Sequence, residues 1–248
     1  MNTTGLTLQT TTDSNVVAVV ERLELGEPVK TEPATAQPPN RIPRRTDEQS
    51  RVLPTVVERV RQWHRNEGFR GAVVLASRDH NRITVYSRFD SGIGTATRPA
   101  PRVLTTDNAL EVPARTLDWR TYDLMWRDGN EVPTVVSPQS TPVVHFGLFT
   151  VLDDQADTLL DRVAASAPAS LVTPGLRTVN FHRSHDGQRL INFGTWSSFD
   201  QFHVLLDQPG FTNGKKYWDG LATFQNDYFD VVDLVARRRR PLRTERIV

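Results

Sequence analysis

The stretch from Gly175 to Trp196, GLRTVNFHRSHDGQRLINFGTW, gathers polar side chains that strand-forming sequence ordinarily avoids. His182 stands ten residues before Asn192, and Asn192 four before Trp196. An unperturbed imidazole titrates at about pH 6.5 and suits proton transfer. Asn is depleted in strands, so one placed there asks for a reason. A buried indole N–H usually finds a hydrogen-bond partner. A base with two donors can take up a proton and stabilise the anion that results. The same residues also fit a plainer arrangement of satisfied histidine, satisfied amide and core indole. His145 and His203 are further histidines for such a site, and Phe202 falls beside it. Phe211, Tyr217 and Trp218 can wall a flat aromatic ligand, while His185 falls in a turn and is expected to face solvent.

The hairpin that carries these groups decides which of them meet. Its loop, His185-Asp186-Gly187, suits a three-residue connection with Gly187 at positive φ. That register pairs Ser184 with Gln188. It puts Asn180, His182 and Ser184 on one face with Leu190, Asn192, Gly194 and Trp196, beneath the helices. Val179, Phe181, Ile191 and Phe193 are left as an apolar face. A two-residue Asp186-Gly187 turn would split His182 from Asn192, because a one-residue slip flips the face.

The elements around the hairpin occur twice. Gly68–Phe89 aligns without a gap on Gly175–Trp196, with Gly68/Gly175, Arg70/Arg177, Ser77/Ser184, Asp79/Asp186 and Arg82/Arg189 identical. Each half reads as strand (Val16–Leu25; Val143–Leu152), helix (Glu48–Asn66; Gln155–Ala165), hairpin and last strand (Leu117–Trp126; Tyr228–Val235). In the second half Ser197 or Ser198 can cap a helix striped by Phe199, Phe202, Val204 and Leu205, and a short helix is expected over Lys215–Phe224. The βαββαβ order is ferredoxin-like. The fold class is therefore α+β, with two ferredoxin-like halves forming a pseudo-dimer of the dimeric α/β-barrel type, their sheets packed face to face. The expected organisation is a disordered start at 1–15 and a degenerate N-terminal domain at 16–130 with a Pro-rich insertion at 26–48. A linker follows at 131–141, then the site-bearing domain at 142–236 and a basic tail at 237–248. At the same spacing the first half replaces His182 by Leu75, Asn192 by Val85 and Trp196 by Phe89. The chemistry is therefore expected in the second half alone.

Composition narrows the classes. A net charge of +1 creates no field that would recruit nucleic acid or a membrane surface, and the Arg237–Arg240 run reads as a solvated tail. No apolar run approaches a membrane span, and the Thr-rich start does not read as a secretory signal. With no cysteine there is neither disulfide nor thiolate chemistry, which fits a cytoplasmic protein. His182 and His185, three apart across a strand and its turn, do not converge on a metal. Nucleophile-elbow, Walker and dinucleotide-binding signatures are absent, and Ser91-Gly92-Ile93-Gly94 reads as a loop.

The segment FHRSHDGQRLINFGTW resembles the antibiotic biosynthesis monooxygenase family. The resemblance is clear over about Val143–Val235 and faint over the first half. It places the family's Asn and Trp on Asn192 and Trp196 and a pocket His on His182. It implies dimeric α+β barrels that oxidise anthrones and related polycyclic phenols with O2 and no metal or bound flavin. The tandem length is also similar to oxygenases that open ring B of angucycline polyketides and to relatives in anthraquinone-fused enediyne pathways. Some anthrone-type members carry a pocket Tyr where this chain has Phe202. The implied substrate is an aromatic polyketide, oxidised to a quinone or cleaved at a C–C bond. A separate reductase could supply reduced flavin, and two chains could pair further as a homodimer. Three other functions stay open on this fold: an aromatic polyketide cyclase, a haem-degrading monooxygenase and a non-catalytic binding protein.

Overall fold

A computed structural model describes residues 6–8, 15–26, 45–78, 80–95, 98–105, 109–129, 134–201 and 216–236. The first half contains β2 (Val16–Leu25), helix α1 (Asp47–Gln62), β3 (Phe69–Ser77), β4 (Arg82–Asp90) and β5 (Ala114–Gly129). The second contains β7 (Val143–Val151), α2 (Ala156–Leu171), β8 (Leu176–Ser184), β9 (Arg189–Trp196) and β10 (Ala222–Ala236). Two short strands, β1 (Leu6–Leu8) and β6 (Thr134–Val136), complete the described strands. Phe69–Arg88 and Leu176–Thr195 pair in the same register, each with a bulge at the corresponding arginine, Arg70 and Arg177.

The eight long strands close into one antiparallel barrel in the order β10-β3-β4-β2-β5-β8-β9-β7. Each half supplies four neighbouring strands in the same relative order, the fourth lying beside the first. The expected pair of sheets packed face to face is corrected by the length of the last strands. β5 and β10 run well beyond the Leu117–Trp126 and Tyr228–Val235 segments, and each reaches the other half, β5 pairing β8 and β10 pairing β3. Closure leaves no edge strand in the barrel.

Three apolar clusters follow. Val17, Val19, Leu23, Val85 and Phe89 of the first half's outer face pack under Val52, Val56 and Val60 of α1. Phe146, Phe193, Phe229, Tyr86 and Leu75 fill the barrel interior. Val143, Phe149, Leu190 and Trp196 of the second half's outer face pack under Leu159 and Val163 of α2. Thr46 caps α1 through a reciprocal bond with Gln49, whose amide also donates to the Ser77 and Arg82 carbonyls and ties the helix to the first hairpin. Inside the barrel, Asp227 of β10 accepts from Arg22 of β2 and from Arg82 of β4, so a buried ion network joins the halves. Breaking such a network at one partner strands a charge and is strongly destabilising.

Two local expectations change. The start is not wholly disordered, because the backbone of Leu6–Leu8 pairs with Thr134–Val136 of the linker, whose Thr134 and Val136 side chains are buried. No short helix spans Lys215–Phe224: residues 217–221 form a turn in which Gly220 takes φ +76, Lys216 N–H donates to Asp219 Oδ2 (2.9 Å), and β10 begins at Ala222. The insertion over 27–44 and the tail from Arg237 lie outside the described residues.

Candidate active site

The second hairpin adopts the slipped register. Phe181 faces Asn192, His182 faces Ile191 and Arg183 faces Leu190. The connection is one residue longer than expected, because side chains build it. Asp186 Oδ1 accepts from Ser184 Oγ (2.6 Å) and from Gln188 N–H (3.0 Å), and Ser184 Oγ accepts from Arg189 N–H (2.9 Å). Arg120 of β5 secures the turn by donating to Asp186 Oδ2 (2.7 Å). Gly187 does take positive φ, at +70, within this longer turn.

The slip separates the three residues expected to act together. His182 points into the barrel. Its Nδ1–H donates to the Asn180 carbonyl (3.1 Å), and its Nε2 accepts from the Tyr86 hydroxyl (3.0 Å), in the tautomer that satisfies both. Burial drives its pKa down to about 4, with the Arg88 charge assisting, and drives that of Tyr86 up. Asn180 beside it is fully buried and bonded to Thr134 Oγ1 and the Phe193 carbonyl. This is the satisfied arrangement of a core histidine.

Asn192 and Trp196 lie on the outer face beneath α2, and the histidine that joins them is His145. The pairing of β9, β7 and β10 lays out rows on that face. One row reads Asn192–Gly147–Asn226 and the next Gly194–His145–Tyr228. Leu190–Phe149–Phe224 borders the first, and Val143 beside Trp196 borders the second. Two positions, Gly147 and Gly194, have no side chain, and the side chains of neighbouring positions close over both. A Cβ built on Gly194 would lie 3.5 Å from both His145 Nδ1 and Trp196 Nε1, so the two nitrogens approach one point above the sheet. A Cβ on Gly147 would lie 3.0 Å from Phe224 Cε2 and 3.4 Å from His145 Cε1.

His145 is buried and stacks on Tyr228 (centroids 5.5 Å, 29° between planes), and its Nε2 lies 2.7 Å from Asn226 Oδ1. Burial pushes its pKa down to about 4 against the opposing pull of the Asn226 bond and the Asp227 charge. The ring is therefore neutral at pH 7. Asn192 is half-buried, and its Oδ1 is buried without a hydrogen-bond partner among the described residues. A buried unsatisfied acceptor costs roughly 1–3 kcal/mol, which makes it a position worth explaining by function.

Tyr217 and Trp218 are brought to the aromatic wall. Trp218 packs on Phe224 (4.3 Å) and on Phe149 (5.8 Å), with Tyr217 edge-on to Trp218 (4.7 Å). Burial raises the Tyr217 phenol pKa. Phe199 meets Tyr228 edge-on at 5.7 Å and opens a helical turn, in which Ser198 Oγ accepts from Gln201 N–H (3.3 Å). Phe202, His203 and Phe211, and the stripe through Val204 and Leu205, lie outside the described residues. His185 is half-exposed beside Asp123 (3.2 Å) and takes no part. Asn226, Tyr228 and the two glycines were not among the sequence candidates. Their signal was the shared spacing His145-x-Gly147 and Asn192-x-Gly194, with a second strand Asn at 226. Among the described residues no group of three or more His, Asp or Glu side chains is placed to hold a metal ion, and no helix is long and apolar enough to cross a membrane.

No family model and no curated protein matches the chain. Solved structures do. The crystal structure of an anthrone oxidase-like protein superposes with a TM-score of 0.64 at 12% identity, covering 94% of this chain and 98% of that one. A putative monooxygenase from Fusobacterium nucleatum gives 0.53 at 9% identity, covering 90% and 95%. A putative monooxygenase from Lactobacillus acidophilus gives 0.50 at 11% identity, covering 90% and 97%. The chain thus shares, over nearly its whole length, the fold of an anthrone oxidase-like protein and of two putative monooxygenases.

Proposed function

We propose that the protein is an oxygenase that joins O2 to an electron-rich polycyclic aromatic substrate, a phenol, hydroquinone or anthrone of polyketide type, on the outer face of its second half. The observation that carries this reading is the convergence of His145 Nδ1 and Trp196 Nε1 over Gly194, on the same face as Asn192, whose buried Oδ1 has no hydrogen-bond partner among the described residues. The fold likeness to an anthrone oxidase-like protein supports it. The two halves are read as copies of one unit, a pseudo-dimer within one chain, of which the second keeps the site.

The chemistry follows from the residues. A flat ring system lies against the wall of Phe224, Tyr217 and Trp218. A substrate hydroxyl or acidic C–H gives its proton to His145. Burial alone holds that ring neutral, and a substrate anion beside it favours the imidazolium. Asn192 and Trp196 donate to the oxyanion and hold it in place. The carbanion or phenolate passes one electron to O2, and the radical pair closes a C–O bond. The resulting hydroperoxide loses water: an anthrone CH2 plus O2 gives C=O plus H2O. No metal is required for this sequence, because the substrate itself is the reductant. Where the substrate arrives as a quinone, a separate reductase supplying reduced flavin would prepare it. Cleavage of a C–C bond is the other fate of the same hydroperoxide.

The test is oxygen uptake and product formation by the purified protein with a simple anthrone and no added metal. Uptake above the spontaneous rate, one O2 per ketone formed, and its loss in Asn192→Ala are expected. Equal rates with and without protein would refute the reading. Product formed equally without air would instead favour a cyclase.

A further inference from the structure

A neutral imidazole has two different nitrogens, and a site that uses it must fix which one carries the proton. His145 has its nitrogens on two unlike edges of the pocket. Nε2 faces Asn226 Oδ1 at 2.7 Å, and Nδ1 lies on the side of Gly194 and Trp196, with Nδ1 and Trp196 Nε1 each 3.5 Å from where a Cβ on Gly194 would stand. Tyr228 holds the plane of the ring by stacking, but a π-face does not distinguish one nitrogen from the other. The amide of Asn226 does. An amide oxygen can only accept, so the bond requires the proton on Nε2 and leaves the lone pair on Nδ1.

We propose that Asn226 is a positioning residue that locks His145 in its Nε2–H form, with the unprotonated Nδ1 on the side of Gly194 and Trp196. Its consequence for turnover rests on the oxygenase reading above; the tautomer itself does not. The register supports this role. Asn226 and Asn192 flank Gly147 from opposite sides, so one amide serves the ring and the other is left to face the ligand. In the first half the matching positions are Trp119 for Asn226 and Val19 for His145, and neither the imidazole nor its acceptor is present. Asn226 is half-buried on a strand and belongs to none of the three apolar clusters.

The experiment labels the histidines of the full chain with 15N and records long-range 1H–15N spectra at pH 7, with the His145 signals identified by their loss in His145→Gln. The expected wild-type result is a protonated Nε2 and an unprotonated Nδ1. In Asn226→Ala the two shifts should move toward each other as both tautomers become populated, and oxygen uptake with an anthrone should fall about 10-fold. Asn226→Asp keeps the acceptor and should keep the Nε2 proton, while its carboxylate promotes a second proton on Nδ1. A wild-type ring protonated at Nδ1, or His145 shifts unchanged in Asn226→Ala, would overturn the proposal. A wild type that shows the expected tautomer but consumes no oxygen would instead refute the oxygenase reading, leaving the positioning by Asn226 in place.

Discussion

The two halves present the same three strands beneath their helices and use them in opposite ways. In the second half the central rows are Asn192–Gly147–Asn226 and Gly194–His145–Tyr228. In the first they are Val85–Glu21–Trp119 and Ser87–Val19–Thr121. Where the second half has Gly147 under the Phe224 ring, the first has a carboxylate. Glu21 is buried and accepts from the Val103 (2.6 Å) and Leu104 (3.1 Å) amides, so a loop is drawn onto the face that would otherwise be open. Burial raises the Glu21 pKa against the lowering effect of those amides and of Arg102 and Arg59. Ser87 Oγ is bonded to the Val19 carbonyl (3.0 Å). One scaffold thus supports a face tied by a carboxylate and a face built of glycines and polar rings, and the difference lies in a few outward positions.

The comparison is broken most severely by removing the groups peculiar to the second half's face. His145→Ala and Asn192→Ala should each lower turnover by roughly 100-fold or more. Val85→Ala, the counterpart of the second, should lower stability by about 1–3 kcal/mol and leave turnover unchanged; steady-state oxygen uptake and thermal melts read the two apart. Filling the floor is the next largest effect. Gly194→Ala meets its neighbours at ordinary contact distance, 3.5 Å, so the protein should fold normally. The added methyl sits between His145 Nδ1 and Trp196 Nε1, and turnover should fall about 10- to 100-fold with little change in melting temperature.

Acid stability sharpens the comparison, because both buried histidines among the described residues belong to the second half. Each has a folded pKa of about 4 against 6.5 for the free side chain. The unfolded chain therefore binds more protons between these values. Stability contributed by the neutral rings is present above pH 6.5 and is lost as pH falls toward 4, by a few kcal/mol in all. Melts across that range in wild type and His182→Leu should show a shallower fall in the variant. The smallest effect is at the turn: Asp186→Ala removes a half-exposed pair with Arg120 and should cost about 1 kcal/mol or less.

The strand order of each half was readable from the chain because alternation, helix periodicity and the repeated hairpin agreed. The register was not. Gly187 at positive φ fits either loop length, and the choice was made by Ser184, Asp186 and the distant Arg120. One residue of slip carried His182 into the barrel and put His145 with Asn192 and Trp196 instead. The first hairpin held the clue, since Ser77 and Arg82 match Ser184 and Arg189 in type and spacing. Barrel closure was hidden for a similar reason. The pairings β5–β8 and β10–β3, and the bonds of Arg22 and Arg82 to Asp227, join residues far apart in the chain. Local pattern carries no information about such contacts.

The most direct measurement is oxygen uptake with an anthrone by wild type, His145→Ala and His182→Leu, the last giving the interior position the leucine found at 75 in the first half. The account predicts that His145→Ala loses turnover and that His182→Leu keeps it within about 3-fold, despite the hydrogen bond it removes from Tyr86. Loss in a folded His182→Leu protein with full activity in His145→Ala would place the chemistry inside the barrel and contradict it.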